Sequence, residues 1–158
     1  MQPHPDFRDL LAEFAREGVR YLLVGGYAVS FHGRPRSTKD IDLWLSGSGE
    51  NLARAARALE RFGAPADIAR MVAALGPTDV VFMGAPPVRV DLLRTVDGLE
   101  DFEEAYRRRV EARWGEAVVS VIGLDDLIAN KRAAGHAQDQ IDTEALERVR
   151  AGRGAGRP

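Results

Sequence analysis

Cysteine is absent from the 158 residues, which excludes disulfide staples, thiolate nucleophiles and any metal site that needs sulfur. Lysine is nearly absent as well. Of 22 basic residues only Lys39 and Lys131 are lysines, and arginine supplies the rest. GC-rich coding produces such a bias, yet it singles out two compact ammonium charges whose behaviour arginine does not copy. No apolar run approaches the length of a membrane span, and the stretch 21–24 stops at Gly25-Gly26. The N-terminus has neither a basic start nor a long apolar segment, so no secretory signal is visible and a cytoplasmic protein is the simplest expectation. An excess of positive charge is also missing. The net charge of −2 argues against a globally basic nucleic-acid binder, while leaving room for a local basic patch.

What is present is an ordinary globular composition, 45% hydrophobic and 29% charged, in a chain long enough for one core. A single domain is expected over 1–150, with a tail over 151–158 that has nothing to bury and is expected to be disordered. Asp6 can cap a first helix whose apolar positions are Phe7, Leu10, Leu11, Phe14 and Ala15, and Gly18 ends it. The pattern then predicts a buried strand over 19–24, a short helix over 27–32, a loop over 33–38 and a second strand over 41–45. Ser46 to Gly49 can cap a helix carrying Leu52, Ala55, Ala56, Leu59 and Phe62 on one face. Further on come a helix over 67–75, a hairpin of strands 79–83 and 88–93, a helical region over 99–109 and a strand over 117–122. Two helices close the body, over 124–134 and about 139–149. The fold class is α/β (α+β): a mixed sheet flanked by helices, with C-terminal helices.

One constellation in this order carries chemistry. A strand ends in Gly25-Gly26, a short helix and a basic loop follow, and Asp40-Ile41-Asp42 opens the next strand. Glycines after a strand let the backbone approach a phosphate, and the helix beginning there offers free N–H groups and the positive end of its dipole. Asp40 and Asp42, two apart on a strand, project to the same face and form a hard oxygen site suited to Mg²⁺. A third carboxylate would complete a two-metal site, and Asp91, in the otherwise apolar strand around Val90, is the natural candidate. A charge there is expensive unless paired or metal-bound. Each feature alone has a plainer explanation: most glycine pairs are tight turns, and Asp91 by itself could be an exposed strand residue or an arginine partner. Their conjunction points to a metal–nucleotide site.

The run Leu22-Leu23-Val24-Gly25-Gly26-Tyr27-Ala28-Val29, continuing through His32-Gly33-Arg34 to Arg36-Ser37-Thr38-Lys39-Asp40-Ile41-Asp42-Leu43, resembles the signature of the DNA polymerase beta-like nucleotidyltransferase superfamily. Within it the chain is similar to minimal bacterial members, including the abortive-infection (AbiEii-type) toxin group, whose C-terminal helical motif the segment Asp126 to Gly135 and Asp139-Gln140-Ile141-Asp142 resembles. The resemblance implies that Gly25 and Gly26 bind a triphosphate, and that Asp40 and Asp42 are metal ligands. It implies that Asp91 is a third ligand or the base for an acceptor hydroxyl, and that Lys131 contacts phosphate. Arg36 and Thr38 would orient the nucleotide or the acceptor. Asp139 and Asp142 could equally be helix caps and salt-bridge partners. His136 stands where the group often carries arginine, and His32 could serve packing or capping as well as catalysis.

The activity so implied is Mg²⁺- or Mn²⁺-dependent transfer of a nucleoside monophosphate from an NTP, such as ATP, to an acceptor hydroxyl. The acceptor would be a tRNA, a protein or a small molecule, and the protein could belong to a toxin–antitoxin pair with a cognate partner. The rival reading is a non-catalytic nucleotide-binding or regulatory partner with the same fold. No membrane association is expected.

Overall fold

In the computed structural model, which describes residues 3–155, the first helix α1 spans Pro5–Glu17. Its start differs from expectation: Pro5 occupies the first turn, and the Nδ1 of His4, not Asp6, caps it by accepting the Asp6 backbone N–H at 3.1 Å. Proline suits that position because its missing N–H would have had no helical partner. Gly18 ends the helix in the left-handed conformation at φ 68°, as expected. Strand β1 follows over Tyr21–Val24, helix α2 over Gly25–His32 and strand β2 over Asp40–Leu45. Both glycines thus lie inside the first turn of α2 and not before it.

Ser48 caps helix α3 (Gly49–Phe62), accepting the Asn51 N–H through its side chain, and helix α4 spans Ala66–Ala73. Strands β3 (Val80–Met83) and β4 (Arg89–Leu93) form the expected antiparallel hairpin. After helix α5 (Phe102–Arg107) comes a strand that the sequence reading lacks, β5 (Val110–Trp114), antiparallel to β6 (Ala117–Val121). Its signal was present: Val110, Ala112 and Trp114 alternate with Glu111 and Arg113, and the two-residue turn Gly115-Glu116, with Gly115 at φ 64°, joins the paired Trp114 and Ala117. Helices α6 (Leu124–Ala134) and α7 (Ala137–Ala155) complete the described chain. The tail expected to be disordered from residue 151 continues α7 through Ala155; its residues are exposed, yet Arg153 reaches back to donate to the His32 carbonyl at 3.5 Å, a tie that the sequence pattern does not mark. Residues 156–158 lie outside the described part. Among the described residues no helix is long and apolar enough to cross a membrane.

The six strands form one mixed sheet in the order β3-β4-β2-β1-β6-β5. β2 runs antiparallel to β1 and parallel to β4. Ile41, Leu43 and Leu45 are fully buried, while the alternate positions Asp40 and Asp42 face the opposite side. Phe7, Leu10, Leu11 and Phe14 of α1 pack with Leu52, Ala55 and Leu59 of α3 in the main core. Trp44 is buried on the aspartate side, edge-to-face with Phe102, its Nε1 donating to the Arg94 carbonyl at 2.8 Å.

Asn51 ties three elements together. Its Oδ1 accepts the Arg20 N–H at 2.7 Å, and its Nδ2 donates to the carbonyls of Arg20 (3.0 Å) and Ser46 (2.9 Å), flanking β1 and β2. It is 2% exposed, so an apolar replacement strands buried backbone groups that water cannot reach. Asn51→Leu is expected to lower unfolding free energy by about 2–4 kcal/mol, read from the urea midpoint at unchanged m-value.

Candidate functional site

The register of two neighbouring strands brings the carboxylates together. β2 and β4 are parallel with Asp42 opposite Asp91 and Asp40 opposite Arg89. Asp40, Asp42 and Asp91 therefore share a face, and each offers an oxygen such that all three lie within 4.8 Å of one another. Asp91 is held by a fork from its own strand: Arg89 Nε donates to Oδ1 at 2.7 Å and an Nη to Oδ2 at 3.2 Å. Arg89 also lies over the Phe82 ring, 4.2 Å from its centroid. The arginine-partner explanation of Asp91 and its place beside Asp40 and Asp42 thus hold together. Among the described residues neither Asp40 nor Asp42 has an ion-pair partner.

Burial, with crowding added to it, raises the affinity of Asp40 and Asp42 for protons. Burial, followed by the charges of Asp40 and Asp91 and a hydrogen bond with Asp91, pushes Asp42 from 3.8 up to about 7, with Lys131 opposing. Asp40 is also raised, by burial first and then by Asp91, against the pull of Arg89 and Thr38. Three hard oxygen donors at this spacing, two of them without an ion-pair partner among the described residues, fit a divalent metal of the Mg²⁺ or Mn²⁺ type.

Two of the three carboxylates, Asp40 and Asp42, line a cleft of about 440 Å³ together with Gly25, Gly26, Arg36, Ser37, Thr38, Lys39 and Lys131; Asp91 lies behind them, buried. Every position singled out from the sequence as nucleotide-binding is on that wall, and so are both lysines of the chain. The glycines have a reason beyond phosphate approach. Gly25 sits at φ +67°, and a Cβ there would stand 2.1 Å from Asp42 Oδ2; a Cβ on Gly26 would stand 2.9 Å from Thr38 Oγ1 and 3.1 Å from an Arg36 Nη. The site's own side chains need that room. Among the described residues no side chain caps the N-terminus of α2, so its first N–H groups are available to an anion.

Other expected residues have more local tasks. Thr38 Oγ1 donates to the Asp40 carbonyl at 3.0 Å, bracing the start of β2. Lys131, 8% exposed, pairs with Asp139 at 3.1 Å and lies 3.6 Å from Asp142. Although burial opposes it, the hydrogen bonds of Lys131 and His136 and the charge of Lys131 hold Asp139 below the usual carboxylate range. His136 is accordingly an Asp139 partner at 3.0 Å, with an exposed side chain. His32 donates from Nε2 to the Ile122 carbonyl at 2.7 Å. Burial first, then the Arg153 charge, lowers its pKa against that hydrogen bond, so it is a neutral tie between α2 and the end of β6. Arg89 and Arg34, which reaches Asp142 at 3.3 Å, were not assigned roles from sequence; the Arg-x-Asp spacing on a strand was the available signal for the first.

The family model described as "Nucleotidyl transferase of unknown function (DUF2204)" matches residues 4–155. The chain belongs to this family. No curated protein matches it. Among solved structures it is similar to the lincosamide antibiotic adenylyltransferase LnuA, lincomycin-bound, at TM-score 0.57 and 14% identity, over 94% of this chain and 98% of that one. It is also similar to ANT(2'')-Ia in complex with adenylyl-2''-tobramycin, at TM-score 0.55 and 17% identity, over 94% and 93%. At these identities the likeness establishes the nucleotidyltransferase fold.

Two outcomes follow from the crowding. In the folded protein Asp42 binds its proton more tightly than in the unfolded chain, so its contribution to stability is present below pH 3.8 and is lost as pH rises towards about 7. In chelator, Asp42→Asn should gain in melting temperature over the unmodified protein as pH climbs through that window; a gap independent of pH contradicts the assignment. Gly25→Ala combines a strained φ with the 2.1 Å clash and should lower stability by roughly 2 kcal/mol or more, measured by denaturant unfolding.

Proposed function

We propose that this nucleotidyl transferase family member moves a nucleoside monophosphate from an NTP to an acceptor hydroxyl in a reaction that depends on Mg²⁺ or Mn²⁺. The observation that supports it best is the trio Asp40, Asp42 and Asp91 within 4.8 Å, two of which, Asp40 and Asp42, line a cleft that also carries Gly25, Gly26, Arg36 and Lys131. Asp40, Asp42 and Asp91 would hold the metal, which when bound supplies charge neutralisation on the phosphates and fixes their orientation.

The remaining roles belong to the chain. The N–H groups opening α2 and the glycine backbone receive the polyphosphate, and Arg36 and Lys131 offset its charge. Asp91 Oδ2, the oxygen with the longer Arg89 contact at 3.2 Å, takes the acceptor's proton as the hydroxyl oxygen bonds to the α-phosphorus and pyrophosphate leaves. Binding both substrates across one cleft turns a bimolecular encounter into a local one. For the acceptor we favour a small molecule, since the net charge of −2 offers RNA no general attraction and both solved neighbours named above are structures with small antibiotics or their adducts. A tRNA or protein acceptor, with a toxin–antitoxin partner, rests on the likeness of residues 126–142 to the abortive-infection group. The fork of Arg89 on Asp91 is the observation that favours the second reading, a non-catalytic nucleotide-binding partner.

The test is incubation with each α-labelled NTP, Mg²⁺ or Mn²⁺, and separate pools of tRNA, protein and small aminoglycosides. Label is expected in the small-molecule pool, and Asp42→Asn should reduce transfer roughly a hundredfold or more. Transfer unaffected by Asp42→Asn sinks the proposal, and Mg–ATP binding by calorimetry without transfer to any pool selects the non-catalytic reading.

A further inference from the structure

Beside the carboxylate trio the fold builds a second charged cluster, of opposite balance, around Asp142. This residue of α7 is fully buried, at 0% exposure, and three cations converge on it. Arg34 Nη1 stands 3.3 Å from Oδ1, Arg36 Nη2 stands 3.3 Å from Oδ2, and Lys131 Nζ stands 3.6 Å from Oδ2. Gln138 donates to Oδ1 at 3.1 Å. With Asp139 also on Lys131, two carboxylates face three cations, so the cluster keeps one positive charge in surplus next to the cleft.

The contacts are long for charge-assisted hydrogen bonds, which settle near 2.7–2.9 Å. Among the described residues Asp142 Oδ2 accepts no hydrogen bond, and Arg36 Nε is buried without an acceptor. A fully buried carboxylate so incompletely satisfied is costly, and its cations are held by charge more than by geometry. Only Arg36 and Lys131 among the three line the cleft. They come from opposite ends of the chain, one from the loop before β2 and one from α6, and Asp142 is the group that both approach. Gly26 leaves the room in which the Arg36 guanidinium lies.

We propose that Asp142 is a positioning residue for polyphosphate. It gathers Arg36 and Lys131 side by side at the cleft wall, so that both turn together to the polyphosphate tail of a nucleotide, while Arg34 stays behind on Oδ1. The inference rests on the reading of the cleft given above and adds the anchor on which its cationic half is hung. A purely structural ion pair makes the opposite prediction about sign, because deleting a negative charge beside an anion site strengthens anion binding by simple electrostatics.

Inorganic tripolyphosphate, titrated calorimetrically at fixed ionic strength, is the probe. Asp142→Asn is expected to bind it roughly tenfold more weakly although the protein has lost a negative charge, because misplaced cations forfeit their shared geometry. Equal or tighter binding by a variant that circular dichroism shows to be folded overturns the inference and leaves the cleft reading standing. If that variant does not fold, side-chain NMR of the unmodified, ¹⁵N-arginine-labelled protein decides. On adding tripolyphosphate the Arg36 Nε–H signal should shift and the Arg34 signal should not; a stationary Arg36 signal overturns the proposal. Failure of the unmodified protein to bind millimolar tripolyphosphate removes the cleft reading itself, and the Asp142 role with it.

Discussion

Three carboxylates held within 4.8 Å repel one another, and the rest of the site can be understood as the means by which the fold tolerates that repulsion. The parallel pairing of β2 with β4 sets Asp42 against Asp91, and a slip of one residue would send one of them through the sheet to the apolar face. That slip is prevented on the other side, where Ile41, Leu43, Val90 and Leu92 are buried in the core. The hydrophobic face therefore holds in place an arrangement that electrostatics alone would disperse. Two cations limit the penalty without cancelling it. Arg89 is spent on Asp91, and the influence of Lys131 on Asp42 is shared with Asp139 and Asp142.

The same constraint explains the glycines. Sequence logic assigns Gly25 and Gly26 to a ligand's phosphates, yet the structure gives each an internal neighbour first: Asp42 at one, Thr38 and Arg36 at the other. The two accounts are compatible, since a backbone bare enough for a carboxylate to lie against is bare enough for a phosphate. The geometry adds that loss of Gly25 would displace Asp42 before any ligand arrived.

How much of this was legible beforehand follows from what kind of information each feature uses. Period-two projection puts Asp40 and Asp42 on one face, and the glycine pair and loop put them beside a helix start; these are local rules, and β2 and α2 follow them. Asp91 was reached because a charge in an apolar strand demands an explanation. Its pairing with Arg89 was legible in principle from the same alternation, which sets residues 89 and 91 on one side. The burial of Asp142 was not legible, because on a helix with many charged residues nothing local marks one aspartate as the buried one; that is decided by the packing of α7 beside α2 and the loop. Strand β5 is weakly marked in the sequence because its alternation is carried by Val110, Ala112 and Trp114 among charged residues at a sheet edge. The cap of α1 is His4 and not Asp6 because the helix starts two residues earlier, at Pro5.

Lysine usage gives the charge distribution a further meaning. Arginine is the default cation of this chain, yet both lysines line one cleft. At position 131 the reason is geometric: the side chain is 8% exposed, lies within 3.1 Å and 3.6 Å of two carboxylates and acts on a third, Asp42. A guanidinium satisfies carboxylates by a planar fork and would commit to one of them, as Arg89 commits to Asp91. An ammonium directs three donors around a point and can be shared. Lys131 can therefore link the anionic and cationic halves of the cleft, whereas an arginine there would have to choose between them.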